Sequence, residues 1–239
     1  MNGQKSALDQ SSTYLDFDDQ PIEGLFVFEN FITEEEEQEI LAELDGKAFS
    51  ETFLPWKASK FNGKHLGKRW GVHCNLRDRM VSEAENPLPN FMNKIIIPKL
   101  RLIRQMSGCI PNECNAIDYR RDEGHFLTAH VDDRQLSKEP IANLSLAGDC
   151  FMTFRNQTPQ RNNAVASARV LLPQRCLQVM TGRARYDFSH GISTSDIVSD
   201  RRVSVTMRES PLSARTLDRL KRAEDDSKQY FLKTNKKVG

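Results

Sequence analysis

The chain has 239 residues, 38% of them hydrophobic, which suits one large domain, or one domain with a terminal extension, built on a real core. With 34 basic and 33 acidic residues the formal charge is +1, so global charge points to neither a nucleic-acid binder nor a membrane binder and leaves only local patches. Apolar runs such as Ile95–Ile97 fall far short of the ~20 residues a membrane helix needs, and residues 1–20 hold no apolar stretch of the secretory kind.

Residues 1–20 read as a loose polar tail. Gly24–Phe28 reads as a first strand. Thr33 with Glu36 makes a capping box, and Glu34 and Glu35 sit where the helix dipole favours acids. The helix should run to about Leu44, with Ile40, Leu41 and Leu44 on its inner face. Residues 48–80 are the least regular. Trp56, Phe61, His65, Trp70 and His73 alternate with Lys57, Lys60, Lys64, Lys68, Arg69, Arg77 and Arg79, and Gly63, Gly67 and Gly71 break any long helix. Basic residues among aromatics can grip phosphates and stack on bases. The stretch is read as a substrate lid with Trp56, Lys64, Lys68, Arg69 and Trp70 as contacts; the alternative is an ordinary hairpin with an amphipathic surface.

Pro87–Pro89 open a second helix at Asn90, which carries Ile95–Ile97, kinks at Pro98 and resumes over Leu100–Met106. Strand patterns follow at 114–119, 126–131, 141–146, 150–154, 169–172, 176–180 and 202–208, with a hairpin turn expected at Ala147–Asp149. Residues 156–168 are polar and patternless and read as a loop. In the last strand Val203, Val205 and Met207 share one face, and Arg202, Ser204, Thr206 and Arg208 the other. Residues 211–239 look helical before the basic run Lys233–Lys237. About eight short strands with two helices before them predict a mainly β protein with flanking helices (α+β) and a jelly-roll core, spanning 21–210 between a tail at 1–20 and a helical and basic tail at 211–239.

The five cysteines form no C-x-x-C pair, so a disulfide framework or zinc knuckle is not expected, and buried thiols in a reducing compartment, cytoplasm or nucleus, are. His130-Val131-Asp132 carries the chemistry. Side chains at i and i+2 of a strand point the same way, so an imidazole and a carboxylate can converge on one ion. Alone, the triplet is weak evidence and reads first as a solvated strand end. His190 is placed to supply a third ligand, and two His with one carboxylate make the facial triad of non-haem Fe(II) oxygenases. Arg202 and Arg208 share the polar face of the last strand. If that face looks inward, two buried guanidiniums need an anion, and a dicarboxylate whose 2-oxo acid end chelates iron would meet the need. His125, five residues before the triplet, reads as a surface-loop residue.

This ordered set, His130-Val131-Asp132, His190 and the R-x5-R from Arg202 to Arg208, carried by residues 201–208, resembles the AlkB family of Fe(II)- and 2-oxoglutarate-dependent dioxygenases over roughly Gly24 to Arg208. Leu144–Phe154 looks like the family's strand pair after H-x-D, and Asn115-Ala116-Ile117-Asp118-Tyr119 is most similar to the subgroup of the fourth AlkB homologue. The resemblance implies Fe(II) on His130, Asp132 and His190, and the distal carboxylate of 2-oxoglutarate on Arg202. It also implies a cosubstrate hydrogen bond from Tyr119, and Arg208 near the chelating end or the substrate. The family usually has Asn two residues before that Tyr; here Ile117 stands there, and Asn115, on the same strand face, is the candidate substitute. The implied reaction uses O2, yields succinate and CO2, and releases formaldehyde from an N-methyl group. The expected substrate is methylated lysine in a protein such as actin, or else alkylated DNA or RNA such as N6-methyladenine, and a monomer is expected. A scaffold that keeps the fold without turnover, or a metal-dependent isomerase or hydrolase, are the alternatives.

Overall fold

The computed structural model describes residues 22–157 and 165–223. The tail expected at 1–20, part of the loop at 156–168 and the run Lys233–Lys237 lie outside the described residues.

Strand β1 (Leu25–Phe28) leads to helix α1 (Glu34–Leu44). The capping box is present: the Thr33 hydroxyl accepts from the Glu36 backbone N–H, and the Glu36 carboxylate accepts from the Thr33 N–H. Ile40 and Leu44 are buried, each burial stabilising by about 1.5–3 kcal/mol, and Leu41 packs beside them. Residues 48–80 prove more regular than expected. They hold β2 (Lys57–Ser59) and the long β3 (Gly63–Asn75), which turns into β4 (Met80–Asn86). Two of the three glycines read as helix breakers, Gly63 and Gly71, mark close approaches in a strand. A Cβ at Gly71 (φ +79°) would lie 2.0 Å from the Asn112 carbonyl oxygen.

The second helix begins with a π-helical turn, Met92–Ile96, where the Ile97 N–H donates to the Met92 carbonyl five residues back. It continues as α2 (Ile97–Leu100) around Pro98, and a 3-10 turn follows at Arg104–Met106. Proline has no N–H to donate, and the widened turn ahead of it is where the helix changes pitch.

The jelly-roll core is built from β5 (Glu113–Arg120), β6 (Phe126–His130), β7 (Ile141–Leu146), β8 (Cys150–Asn156), β9 (Ser167–Leu172), β10 (Leu177–Met180), β11 (Phe188–Ile192) and β12 (Arg201–Arg208). One sheet runs β10-β7-β12-β5 and the other β6-β11-β8-β9, all antiparallel. β3 belongs to both, pairing with β5 through Leu66–Gly71 and with β6 through Gly63 and Lys64. The hairpin expected at Ala147–Asp149 is not formed: β7 pairs with β10 and β12, and β8 with β9 and β11. The connection is an arch between the sheets. Ala147 takes φ 63°, and a Cβ on Gly148 would lie 2.5 Å from the Arg201 carbonyl oxygen.

Helix α1 and the helical segment at 92–100 cover the outer face of the first sheet in one apolar cluster, and a second fills the space between the sheets. Helix α3 (Gly182–Tyr186) joins β10 to β11, and a further helix covers 214–223. No helix among the described residues is long and apolar enough to cross a membrane.

Candidate active site

Strand pairing sets His190 of β11 directly opposite His130 of β6, with ring centroids 4.7 Å apart. The register shifts just beyond, between His190 and Ile192. Only glycine fits the step, because a Cβ on Gly191 would lie 2.8 Å from the Ala129 nitrogen. Asp132, just past β6, is buried and puts Oδ2 3.6 Å from His190 Nε2. One ligand atom from each of His130, Asp132 and His190 lies within 4.8 Å of the others.

The electrostatics suit a divalent cation. Nδ1 of His130 lies 2.8 Å from the Thr128 carbonyl oxygen, so a proton there leaves Nε2 free to coordinate. Burial pushes the His190 imidazole down to about 4, so it stays neutral, and its Nδ1 is buried with no hydrogen-bond partner. Burial alone would raise the Asp132 carboxyl, but Arg208, with His190 and His130, outweighs it and holds the acid well below the usual carboxylate range. Two imidazoles and one ionised carboxylate on one side of a point are the donor set that a divalent iron takes with open positions.

A cavity of about 60 Å³ runs from this triad into the barrel, lined among others by Tyr119, Asn143, Gln178, Arg202 and Thr206. At its inner end lies Arg202, only 1% exposed. Its guanidinium donates to Ser145 Oγ at 2.8 Å and Asn143 Oδ1 at 3.2 Å, and its Nε has no partner. No carboxylate among the described residues pairs with it. A buried guanidinium with only neutral partners is costly and creates a strong site for an anion. Arg208 differs: it donates to Asp132 Oδ1 at 2.6 Å and Glu113 Oε1 at 3.2 Å, so its charge is matched within the protein.

The structure brings Tyr119 into the cavity wall, with the Arg202 guanidinium carbon 5.5 Å from its ring centroid. Asn115 is not among the lining residues; its amide donates to Glu113 Oε1 at 2.8 Å, while Ile117 does line the cavity. For Trp56, Lys68 and Trp70 the lid reading is corrected. Lys68 and Trp70 point away from the cavity, sharing a face of the sheet with Ala116 and Cys114. Trp70 is 3% exposed and donates through Nε1 to the Thr52 carbonyl at 2.7 Å. Lys68 is buried over the Trp56 ring, 4.3 Å from its centroid, and donates to the Leu44 carbonyl. Trp56 itself donates to Asp45 at 3.0 Å. Lys64 donates to the Glu123 carbonyl, and Arg69 is exposed, 3.9 Å from Glu85. His125 is buried rather than a surface-loop residue, with Nδ1 accepting from the Arg120 N–H at 3.0 Å.

Sequence reasoning missed Asn143 and Gln178 in the pocket, Ser145 behind Arg202 and Glu113 behind Arg208. Asn143 and Ser145 had a signal: two polar residues at i and i+2 in the otherwise apolar strand Ile141–Leu146.

The sequence pattern of the 2OG-Fe(II) oxygenase superfamily matches residues 24–208. The human alpha-ketoglutarate-dependent dioxygenase alkB homolog 4 is 27% identical, over 79% of this chain and 68% of its own length. A Caenorhabditis elegans protein named DNA N6-methyl adenine demethylase is 24% identical, over 79% and 60%. The solved structure of OsALKBH1 superposes with a TM-score of 0.55 at 15% identity, covering 78% of this chain and 96% of that one, and so shares the fold. With a His-Asp-His cluster at one end of its cavity and, at the other, an arginine that no carboxylate among the described residues pairs with, the chain belongs to the 2OG-Fe(II) oxygenase superfamily, in its AlkB family, and is a dioxygenase that uses Fe(II), 2-oxoglutarate and O2.

Proposed function

We propose that the protein is an oxidative N-demethylase of methylated lysine in a protein substrate such as actin. His130, Asp132 and His190 would hold the iron, and Arg202 would take the distal carboxylate of 2-oxoglutarate. The observation that carries this assignment is the single cavity joining the triad to an arginine with no acidic partner. The bound iron supplies the O2-dependent decarboxylation of 2-oxoglutarate and the hydroxylation of a C–H bond. The chain's own residues orient and protect. Arg202, its guanidinium held by Asn143 and Ser145, would bind one end of the cosubstrate. Arg208 keeps Asp132 ionised and aimed. The apolar walls, Ile117, Leu127, Ile141 and Met152, exclude water from the reacting groups. A hydroxylated N-methyl group then collapses to formaldehyde and the free amine.

A protein substrate is supported by where the basic and aromatic residues of 48–80 lie. A flipped base needs a stacking wall and phosphate contacts, and Trp56, Trp70 and Lys68 are all committed to the opposite face of the sheet. The cytoplasm or nucleus is the proposed location.

The test supplies iron, 2-oxoglutarate and air to the purified protein, with His130→Ala as control, and follows succinate and formaldehyde. Methylated peptides and methylated oligonucleotides are offered side by side. Formaldehyde from peptides alone is expected. Formaldehyde from oligonucleotides alone would overturn the lysine reading, and a His130→Ala variant as active as the wild type would overturn the metal assignment.

A further inference from the structure

Arg185 is 2% exposed and lies in α3, five residues before His190. Its guanidinium reaches the other ligand-bearing segment. One nitrogen donates to the Asp132 carbonyl at 2.9 Å; the other donates to the Asp133 carbonyl and, at 3.3 Å, to Ser137 Oγ. Its Nε has no partner, and no carboxylate among the described residues pairs with it directly. A buried cation held by two main-chain carbonyls and a hydroxyl is an expensive way to tie a loop, since neutral groups could do the same without desolvating a charge. What the guanidinium adds is geometry: a rigid fork that fixes two successive carbonyls at once.

From this geometry we infer that Arg185 is the positioning residue of the metal centre, locking the Asp132–Asp133 backbone to the segment that carries His190 so that the three ligands meet. The inference rests on the triad reading above. Strand pairing already aligns His130 with His190. Asp132 lies beyond the end of β6, where no ladder holds it, and Arg185 takes over that task. Arg208 fixes the carboxylate of Asp132 from its side chain, and Arg185 fixes the same residue from its backbone.

The experiment titrates the full chain with Co(II) under anaerobic conditions and reads affinity and the visible d–d bands, which report ligand geometry. Wild type, Arg185→Gln, Arg185→Lys, His130→Ala and the remote control Arg175→Gln, which loses an ion pair to Glu37, are compared. Arg185→Gln should bind Co(II) about 10–100-fold more weakly with altered bands, the range that loss of a group supporting a ligand costs. Arg185→Lys should fail similarly, because it keeps the charge without the fork. Wild-type affinity and bands in Arg185→Gln would overturn the inference and leave the triad standing. If Arg185→Gln does not fold, Arg185→Lys decides: unchanged bands overturn the inference. Equal weakening in Arg175→Gln would mark general instability and overturn it too. A wild type that binds no Co(II) would overturn the triad reading itself, and the inference with it.

Discussion

The two faces of the β10-β7-β12-β5 sheet are both largely buried and do opposite things. On the outer face Ala142, Leu144, Leu177, Val179, Val203, Val205 and Met207 pack against the helices. On the inner face, one residue out of phase, Asn143, Gln178, Arg202, Ser204 and Thr206 line the cavity. Ser204 is 2% exposed and Val205 0%, so burial does not separate chemistry from structure. Satisfaction does. The outer face is closed by its own contacts, whereas the inner face keeps the Arg202 Nε and the Gln178 Oε1 without partners. Polar atoms left buried and unpaired along a cavity are open to the partner atoms of a ligand.

The sharpest test of that division removes a triad residue. Asp132→Ala should abolish succinate formation, a larger loss than the ~100-fold that removing a supporting residue costs. Leu144→Ala, on the outer face, should lower stability by about 2–5 kcal/mol in urea unfolding while leaving the KM for 2-oxoglutarate unchanged. A changed KM would break the comparison. Arg202→Met should do the reverse. Losing hydrogen bonds to a carboxylate worth ~1.5–3 kcal/mol should raise that KM roughly 10–100-fold. The melting temperature without cosubstrate should not fall, since an unpaired buried cation has been removed.

The smallest effect is acid sensitivity of the metal-free protein. The His190 pKa is about 4 in the fold against 6.5 unfolded, so between those values the unfolded chain binds more protons. Stability should therefore fall as pH drops from about 6.5 towards about 4. His190→Asn should flatten that limb in urea titrations at several pH values. Asp132, held low, contributes in the same direction at lower pH still.

The triad and Arg202 were legible because two-residue periodicity carries them: His130 and Asp132 sit at i and i+2, and β12 alternates cleanly. Arg185 left no such trace, since its partners are backbone carbonyls and a serine that no motif names. The stretch 48–80 misled for a different reason. Leu66, Lys68 and Trp70 alternate as a strand face should, but lysine is ordinarily a solvent residue. Here the Trp56 and Phe53 rings and the Leu44 carbonyl make its burial tolerable, all from outside the strand. The Ala147–Asp149 turn misled because a hairpin and an arch between sheets share the same local signal, and only the pairing partners of β7 and β8 distinguish them.

β12 is the last strand of the barrel among the described residues, yet it lies between β5 and β7. A chain that has emerged from the ribosome only as far as residue 200 has both facing edges of that sheet open and neither Arg202 nor Arg208. Such edges invite pairing with other chains. Zipping in the final strand closes the sheet and delivers both guanidiniums in one event, so the anion pocket cannot exist on a half-built barrel. A cosubstrate bound at Arg202 would, by mass action, stabilise only the completed barrel.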